Sequence, residues 1–389
     1  WMVLGLAMGM AQGFSILIAQ YFGANDVARL RRAAGQSILL SIGIAVLLTA
    51  VSEALLWPTL LLLQSPENTI QLTCDYLRVI FAGVSFVMAF NLLSGFLRSL
   101  GDSRTPLYAM TSAALCNIAL DILFVAVFRW GVFGVAIATV ISQCISSVIC
   151  LLALRKMPIM ALSRQDLKAD PPMMKRLLGL GVPVAFQNLI ISIGGLALQR
   201  VVNGFGFVFM AGINAATRLC GLMELAGTSL ASAMGTFAGQ NLGARKLDRV
   251  KLGLRRSAQI AVGMALIVAL ILVLFGRPLL SLFINDEPEL VEQVLTYGCR
   301  YLNVMSAGLF MLYLLFVYRS TLQGLGDTVI PMISGFVELA MRIGCVTILP
   351  IFLGEWGVYI AEISAWIGAG AFLMWGYYRR IHILEKEMG

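Results

Sequence analysis

The sequence predicts an all-α polytopic membrane protein. Of its 389 residues, 59% are hydrophobic and 12% are charged, and the mean hydropathy is +0.89, unlike the composition of a soluble domain. Apolar stretches of roughly 20 residues, long enough to cross a bilayer as helices, alternate with short polar or basic connections. Strands of a membrane barrel would be about half as long and would alternate in polarity, so helices are the prediction.

Eleven apolar stretches follow one another along the chain. Their predicted limits are 1–22, 35–57, 75–98, 105–128, 131–154, 177–201, 210–238, 257–275, 292–318, 328–352 and 355–378. The seven cysteines lie in apolar runs without close pairs, and His382, the only histidine, lies in the polar tail. We therefore expect no disulfide framework and no histidine-based metal site or triad within the bilayer, and we predict that the protein is not an enzyme.

Basic residues are concentrated in alternate connections. Most of the 28 Lys and Arg residues lie in one alternate set of connections. These connections are 23–35, 98–106, 154–176, 243–256, Arg319 with the turn after it, and 377–389. The opposite connections contribute Arg129 and Arg277, and they carry the acids Glu67, Asp286, Glu287, Glu289, Glu292 and Glu355. Because basic residues mark the cytoplasmic side, we predict a cytoplasmic C-terminus, and this charge needs no nucleic-acid partner to explain it.

Four motifs recur in the same order in the second half of the chain. AQYFGA (19–24) returns as GQNLGA (239–244), CDYLRVIFAG (74–83) as CRYLNVMSAG (299–308), LRSLGDSRTP (97–106) as LQGLGDTVIP (322–331), and GVFGVAIAT (131–139) as GEWGVYIAE (354–362). The offsets are 220, 225, 225 and 223. This repeat predicts two homologous six-helix bundles related by a pseudo-two-fold axis along the membrane normal.

The repeat also predicts the domain limits. Residues 1–156 form an N-terminal lobe with five helices, 157–176 a cytoplasmic linker, and 177–389 a C-terminal lobe with six helices and a short tail. The first helix of the C-terminal lobe has no counterpart within the sequence, because its partner would precede Trp1. We therefore expect a first helix of about 25 residues upstream in the parent protein, so that eleven of twelve helices are present.

One acid, Asp121, lies inside the otherwise uncharged stretch 111–128. A carboxylate inside a bilayer costs roughly 2.5–3.5 kcal/mol, so it needs a partner or a function. Asn117 lies one turn earlier on the same helix face, and Thr139 lies on the next helix at a similar depth, about 10 to 12 Å from the outer end. Their oxygens suit a small alkali cation such as Na+, or the carboxylate can hold a proton. The alternative is a hydrogen-bonded cap with ordinary interhelical contacts.

Other polar residues lie in the predicted second lobe. Glu338 and Arg342 are spaced i, i+4, which favours a structural pair over a substrate or proton role. Glu362 occupies the position equivalent to Thr139, and it is either a partner of Arg342 or a second ion-responsive site. Glu224 faces a cavity that attracts cationic substrate, or pairs with a base on another helix.

Several amides lie on the helix that opens the second half. They are candidates for lining a promiscuous cavity, with interhelical hydrogen bonding as the alternative. These residues are Gln187, Asn188, Gln199 and Asn203.

The ordered motifs resemble the multidrug and toxic compound extrusion (MATE) family, in its prokaryotic drug and sodium antiporter branches. The residues that carry the resemblance are AQYFGANDVARLRRAAGQ (19–36), LRSLGDSRTPLY (97–108), NIALDILF (117–124), GVFGVAIATVISQ (131–143) and GVPVAFQN (181–188). The resemblance covers essentially the whole chain. It implies two six-helix lobes around a V-shaped central cavity and the export of organic cations or amphipathic compounds in exchange for Na+ or H+ by alternating access.

The resemblance also implies a coupling-ion site at Asn117, Asp121 and Thr139, completed by an Asp on the first helix, which falls in the expected upstream segment. It implies a multi-pass monomer of the bacterial inner membrane with no cofactor besides the coupling ion. The alternative function is a lipid-linked oligosaccharide flippase of the same superfamily. Such a flippase needs a strongly basic cavity for pyrophosphate, whereas intramembrane bases are few in this sequence.

Overall fold

The computed structural model describes residues 2–62, 67–284 and 288–388. Within these residues the chain forms twelve α-helices, one π-helix and one short 3-10 helix, and no strand occurs there. The prediction of an all-α protein is therefore confirmed. The predicted outer-loop acids Asp286 and Glu287 lie outside the described residues.

Two compact units divide the chain, Trp1–Phe186 and Gln187–Gly389. The first contains α1 (Met2–Gly23), α2 (Val27–Leu62), α3 (Glu67–Ala82), α4 (Val84–Ser99), α5 (Arg104–Asp121), the π-helix Ile122–Val127, α6 (Gly131–Arg155) and the 3-10 helix Pro158–Met160. Helix α7 (Pro171–Asn203) begins in the first unit and continues into the second. The second unit then contains α8 (Phe207–Gly243), α9 (Leu247–Ser281), α10 (Pro288–Gly324), α11 (Val329–Leu353) and α12 (Glu355–Met388). The lobe limits predicted from the repeat, 1–156 and 177–389, differ from the limits of these two units, and they stay a prediction.

Ten of the described helical segments are long and apolar enough to cross a bilayer, and the number is eleven when the bent pair α3 and α4 is counted as one span. This matches the eleven predicted stretches, and the chain is a multi-pass membrane protein. Most helices extend beyond the predicted limits; α12 continues through the predicted polar tail to Met388. A helix satisfies its own backbone hydrogen bonds, so it can continue past the apolar core into the polar zone.

The prediction of one uninterrupted helix over 75–98 is wrong. The chain bends by 40° between α3 and α4. At the bend lies Gly83, where an added Cβ would overlap the side chain of Val140 on α6. Glycine is a poor helix former, and its missing side chain permits this close packing, so the break occurs there.

The repeat is visible in the backbone of the connecting turns. Asn25, which follows AQYFGA, has φ 55°, and Arg245, which follows GQNLGA, has φ 56°. In both turns the next backbone N–H, that of Asp26 or Lys246, donates to the carbonyl five residues earlier, at 3.0 and 2.8 Å. The two helices therefore end in the same Schellman-type turn.

Two further pairs of turns correspond in the same way. Gly101 and Gly326 of the two LGD sequences have φ of 92° and 79°. Gly131 and Gly354, which begin the fourth repeated motif, have φ of 56° and 55°. Glycine adopts these left-handed conformations at little cost, and the matching geometry supports the homology of the two halves.

Close packing of α1 against the first part of α7 depends on small residues. A Cβ on Gly9 would lie 2.5 Å from the Cα of Ala185, and one on Gly13 would overlap the Cα of Gly181. Phe14, fully buried, lies in the apolar core of the first unit beside these glycines. Small residues let helix backbones approach closely, which is a main source of packing energy inside membranes.

The predicted linker is held against the start of α2. Arg31 donates to two linker carbonyls at 2.7 and 3.0 Å, and Arg32 forms an ion pair with Asp170. The Gln36 side chain donates to the carbonyl of Asp166 at 2.9 Å and accepts from the backbone N–H of Asp170 at 3.0 Å. The hydrogen bond from Arg32 lowers the pKa of the Asp170 carboxyl below its usual value. These three residues of the segment 19–36, which carries part of the family resemblance, therefore fix the linker.

The packing of α1 on α7 generates a stability prediction. Gly13→Ala is expected to destabilise the protein by about 1 to 3 kcal/mol, because the new methyl group overlaps the backbone of Gly181. Gly43→Ala on α2 is the matched control, since nothing lies within 4 Å of a Cβ there. Alanine is the better helix former by about 1 kcal/mol, so the control is expected to be neutral or stabilising. Thermal unfolding in detergent measures both, and equal melting temperatures would refute the close-packing argument.

Candidate functional site

In the first unit, Asn117 and Asp121 lie one turn apart near the end of α5. Most of α5 is exposed, yet the Asn117 Nδ2 and Asp121 Oδ1 atoms are buried and have no hydrogen-bond partner among the described residues. No hydrogen bond joins Asn117 to Asp121 in the described part of the chain. Buried polar atoms are normally satisfied, so these two atoms, one turn apart on α5, make this place a candidate ligand site.

The helix changes its geometry at Asp121. The α-helical part ends at this residue, and the next six residues, Ile122–Val127, form a π-helix. Comparison of the two halves accounts for this segment. Gly131 lies 29 positions after Asp102, whereas the corresponding Gly354 lies 27 positions after Asp327, so the first half contains two more residues here. A π-helix accommodates additional residues within a helical span, and such segments are frequent at functional sites.

Close packing brings α6 against the π-helix. A Cβ on Gly134 would lie 2.9 Å from the Cβ of Phe124, so only glycine fits there without a shift. The Phe124 ring stacks on Trp130 with a centroid distance of 5.0 Å. Aromatic residues of this kind are typical of the membrane interface, and here they fix the turn that joins the π-helix to α6.

Thr139 lies on α6, the helix packed along α5. Its hydroxyl donates to the carbonyl of Val135 at 3.0 Å, and it makes no hydrogen bond to Asp121 within the described structure. The hydroxyl oxygen keeps its lone pairs, which can accept from or coordinate a ligand. Neighbouring helices thus carry the three predicted residues, but no direct bond joins them.

The second unit contains a buried ion-pair network. Arg342 Nη2 donates to Glu338 Oε1 at 2.9 Å and to Glu362 Oε2 at 3.0 Å. Glu338 and Arg342 are each 5% exposed and Glu362 is 8% exposed. The pair predicted at i, i+4 is present, and Glu362 is bonded to Arg342. Gly194 on α7 makes room for the guanidinium, since a Cβ there would lie 2.5 Å from Arg342 Nη1.

Sequence reasoning missed a fourth member of this network. Arg319 was assigned to a cytoplasmic turn, but α10 continues to Gly324 and buries it. Its Nη2 donates to Glu338 Oε2 at 2.9 Å. The available signal was its position directly after an apolar run, within reach of an intramembrane acid. Glu338 consequently has two guanidinium partners, whereas Glu362 has Arg342 alone.

Glu224 lies on α8 and is half-buried. Its carboxylate interacts electrostatically with Glu362, Glu338 and Arg342, so it lies near the network. It has no ion pair among the described residues, and the expected pairing with a base from another helix is not formed there. With Glu224 included, three carboxylates face two guanidinium groups, so this region carries excess negative charge when all of them are ionised.

The four amides on α7 differ in their surroundings. Gln187 is buried, and its Oε1 accepts a hydrogen bond from Gln323 at 3.0 Å. Gln199 donates to the exposed Asn203 at 2.8 Å, while the Asn188 carbonyl accepts from the Ser192 hydroxyl at 2.9 Å. Hydrogen bonds between side chains and within the helix thus involve these residues, and a cavity-lining role stays a prediction.

Corresponding positions in the two halves carry different polar side chains. Counted from the LGD turns, Asn117 corresponds to Arg342, and Thr139 corresponds to Glu362 through the fourth motif. In the second unit the guanidinium of Arg342 forms ion pairs with the carboxylates of Glu338 and Glu362. Among the described residues of the first unit, no Lys or Arg forms an ion pair with Asp121, so this carboxylate lacks the internal neutralisation seen in the second unit.

Comparisons with known proteins show similarity in sequence and in fold. The family model MatE matches residues 1–123 and 183–346. The probable multidrug resistance protein YoeA of Bacillus subtilis is 27% identical over 397 residues, covering 97% of this chain and 83% of that protein. The probable multidrug resistance protein NorM of Thermotoga maritima is 26% identical, covering 100% and 85%. A solved outward-facing structure of a multidrug resistance MATE family transporter of the MOP superfamily is similar in fold, with TM-score 0.92, 24% identity and coverage of 98% and 86%.

The network in the second unit generates a prediction of rescue. Arg342→Gln is expected to destabilise the protein by about 3 to 5 kcal/mol, because Glu362 loses its one ion-pair partner among the described residues. Adding Glu362→Gln is expected to restore part of this loss, since Glu338 keeps Arg319. Thermal unfolding of the two single variants and the double variant measures the coupling. A double variant less stable than Arg342→Gln would contradict the assigned pairing.

Proposed function

The chain belongs to the MatE family of membrane transporters, and from this premise we propose that it exports organic cations and other amphipathic drugs in exchange for Na+ or H+. It is a transporter and not an enzyme. The observation that carries the antiport proposal is the pair of buried, unpartnered atoms at Asn117 and Asp121 beside the π-helix. The names of the relatives YoeA and NorM, both probable multidrug resistance proteins, support drugs as the substrate class.

The coupling site consists of Asp121, Asn117 and Thr139. The Asp121 carboxylate supplies negative charge, and the amide and hydroxyl oxygens supply neutral ligands, a set suited to Na+. Protonation of Asp121 would neutralise the same charge, so H+ is the alternative coupling ion. No other cofactor enters the proposal.

Antiport follows from linkage between the two ligands. Ion binding at Asp121 changes the packing of α5 and the π-helix against α6 and lowers the affinity for drug. Thermodynamic reciprocity requires that bound drug weaken ion binding by the same factor. Alternating access then exchanges the two ligands across the bilayer, with the C-terminus on the cytoplasmic side and the protein acting as a monomer.

Glu224 is the residue proposed to attract cationic substrate in the second unit. It carries the carboxylate that the guanidinium groups of Arg319 and Arg342 do not pair. The same network argues against the lipid-linked oligosaccharide flippase. Acids bind both buried guanidinium groups, so they offer no strongly basic surface for a pyrophosphate.

Replacement of Asp121 tests the coupling site. In liposomes containing purified protein, ethidium transport is followed while a Na+ gradient and a pH gradient are imposed separately. Asp121→Asn is expected to reduce gradient-driven transport to below about one tenth, because the neutral amide cannot exchange a cation charge. The gradient that drives the unmodified protein identifies the coupling ion.

Asp248→Asn serves as the control for that experiment, because the Asp248 side chain is 99% exposed and lies at the start of α9. It is expected to transport like the unmodified protein. Normal ion dependence in a folded Asp121→Asn variant would overturn the assignment of the site. Absence of ethidium transport under either gradient in the unmodified protein would favour the flippase.

Replacement of Glu224 tests the substrate role. Glu224→Gln is expected to weaken ethidium binding about tenfold, a factor that corresponds to about 1.4 kcal/mol, because one attractive charge is lost. An uncharged amphipathic dye is expected to bind both proteins equally. Fluorescence titration in detergent measures both affinities, and an equal loss for the two dyes would indicate a structural role instead.

A further inference from the structure

A cavity with a volume of about 990 Å³ opens between α9, α10 and α12. Its charged lining residues gather at one end, with Leu254 and Ile381 between them, and Gln259 lies farther along α9. These charged residues are Lys251, Arg255, His382 and Glu385. The other end is lined by apolar and aromatic side chains, among them Ala258, Val262, Leu314, Tyr318 and Tyr377. The cavity therefore has a polar end and an apolar end.

The geometry of the helices orders these residues along the cavity. Lys251 near the start of α9 forms an ion pair with Glu385 near the end of α12, so these two antiparallel helices have their polar ends at one level. Along α9 the lining residues at positions 251, 255, 258 and 262 recur every three to four residues and so share one face. From Lys251 to Val262 the helix rises about 16 Å, which carries the cavity from the polar zone into the apolar span.

One positive charge at the mouth is not compensated. Lys251 is paired with Glu385 and also lies 3.4 Å from Asp248. Arg255 is exposed, and it has no ion pair or hydrogen bond within the described part of the chain. His382 is largely exposed, with its Nδ1 4.0 Å from Glu385. Arg255 is thus the free cation at the polar end.

Aromatic rings form the wall below this charge. Tyr318 and Tyr377 pack edge to face with centroids 5.6 Å apart. Tyr377 and Tyr378 also pack edge to face, with centroids 5.4 Å apart. Tyrosines of this kind are enriched at the level of lipid headgroups. The wall therefore lies where a phosphate would meet the start of an acyl chain.

We propose that this cavity binds an anionic phospholipid, with its phosphate at Arg255 and an acyl chain along Ala258, Val262 and Leu314. Basic pockets between helices on the cytoplasmic side recognise anionic headgroups, and this end is cytoplasmic in the predicted topology. The uncompensated charge of Arg255 favours an anion over a cationic drug. The apolar end adds contacts that a free phosphate ion would not make.

The test is native mass spectrometry of the purified protein with dioleoyl-phosphatidylglycerol or dioleoyl-phosphatidylcholine. Binding of phosphatidylglycerol is expected to be tighter, and Arg255→Gln is expected to weaken it about fivefold, the effect of one basic residue at an anionic surface. Arg249→Gln is the matched control, because Arg249 is an exposed arginine on α9 that does not line the cavity. It is expected to leave binding unchanged.

Two further measurements separate the possible outcomes. Ala258→Trp, which fills the apolar end, is expected to weaken phosphatidylglycerol binding while melting like the unmodified protein. Inorganic phosphate at millimolar concentration is expected not to displace the lipid. Equal losses in Arg255→Gln and Arg249→Gln, equal binding of both lipids, or displacement by inorganic phosphate would each overturn the lipid site.

Discussion

A polar group inside a bilayer must find its partner within the protein, and this constraint shapes both halves of the chain. The backbone satisfies it through helices in all of the described spans. In the second unit the carboxylates of Glu338 and Glu362 have guanidinium partners in Arg342 and Arg319, although the Nε atoms of both arginines have no hydrogen-bond partner among the described residues. In the first unit Asn117 Nδ2 and Asp121 Oδ1 are buried without a hydrogen-bond partner among the described residues. The proposed transport chemistry follows from that difference.

Duplication preserved the backbone more closely than the side chains. The turns after the repeated motifs keep the same positive φ values and the same hydrogen bonds in both halves. The corresponding membrane positions hold an amide and a hydroxyl in one half and a guanidinium and a carboxylate in the other. Backbone turns must satisfy steric limits in any sequence, whereas a charge can be neutralised by either an internal or an external partner.

Much of the fold was accessible from the sequence, because a bilayer imposes simple rules. Span length, loop charge and the repeat predicted the helices, and the family resemblance is confirmed by the matching family model. Asp121 was found because an isolated acid in an apolar stretch is costly. The bend at Gly83, the π-helix and Arg319 as the second partner of Glu338 were not predicted. Each depends on contacts between distant segments, such as Gly83 with Val140 or Arg319 with Glu338, which periodicity does not reveal.

The linker that joins the two halves of the chain also makes side-chain contacts with α2. Arg31, Arg32 and Gln36 hold the linker, and Gly13 admits the first part of α7 to the core of the first unit. The segment that leads into the second half is therefore fixed by noncovalent contacts as well as by the peptide bond. All of these contacts lie inside the first unit. Although the repeat assigns α7 to the second half, the first part of that helix is packed as a member of the first unit.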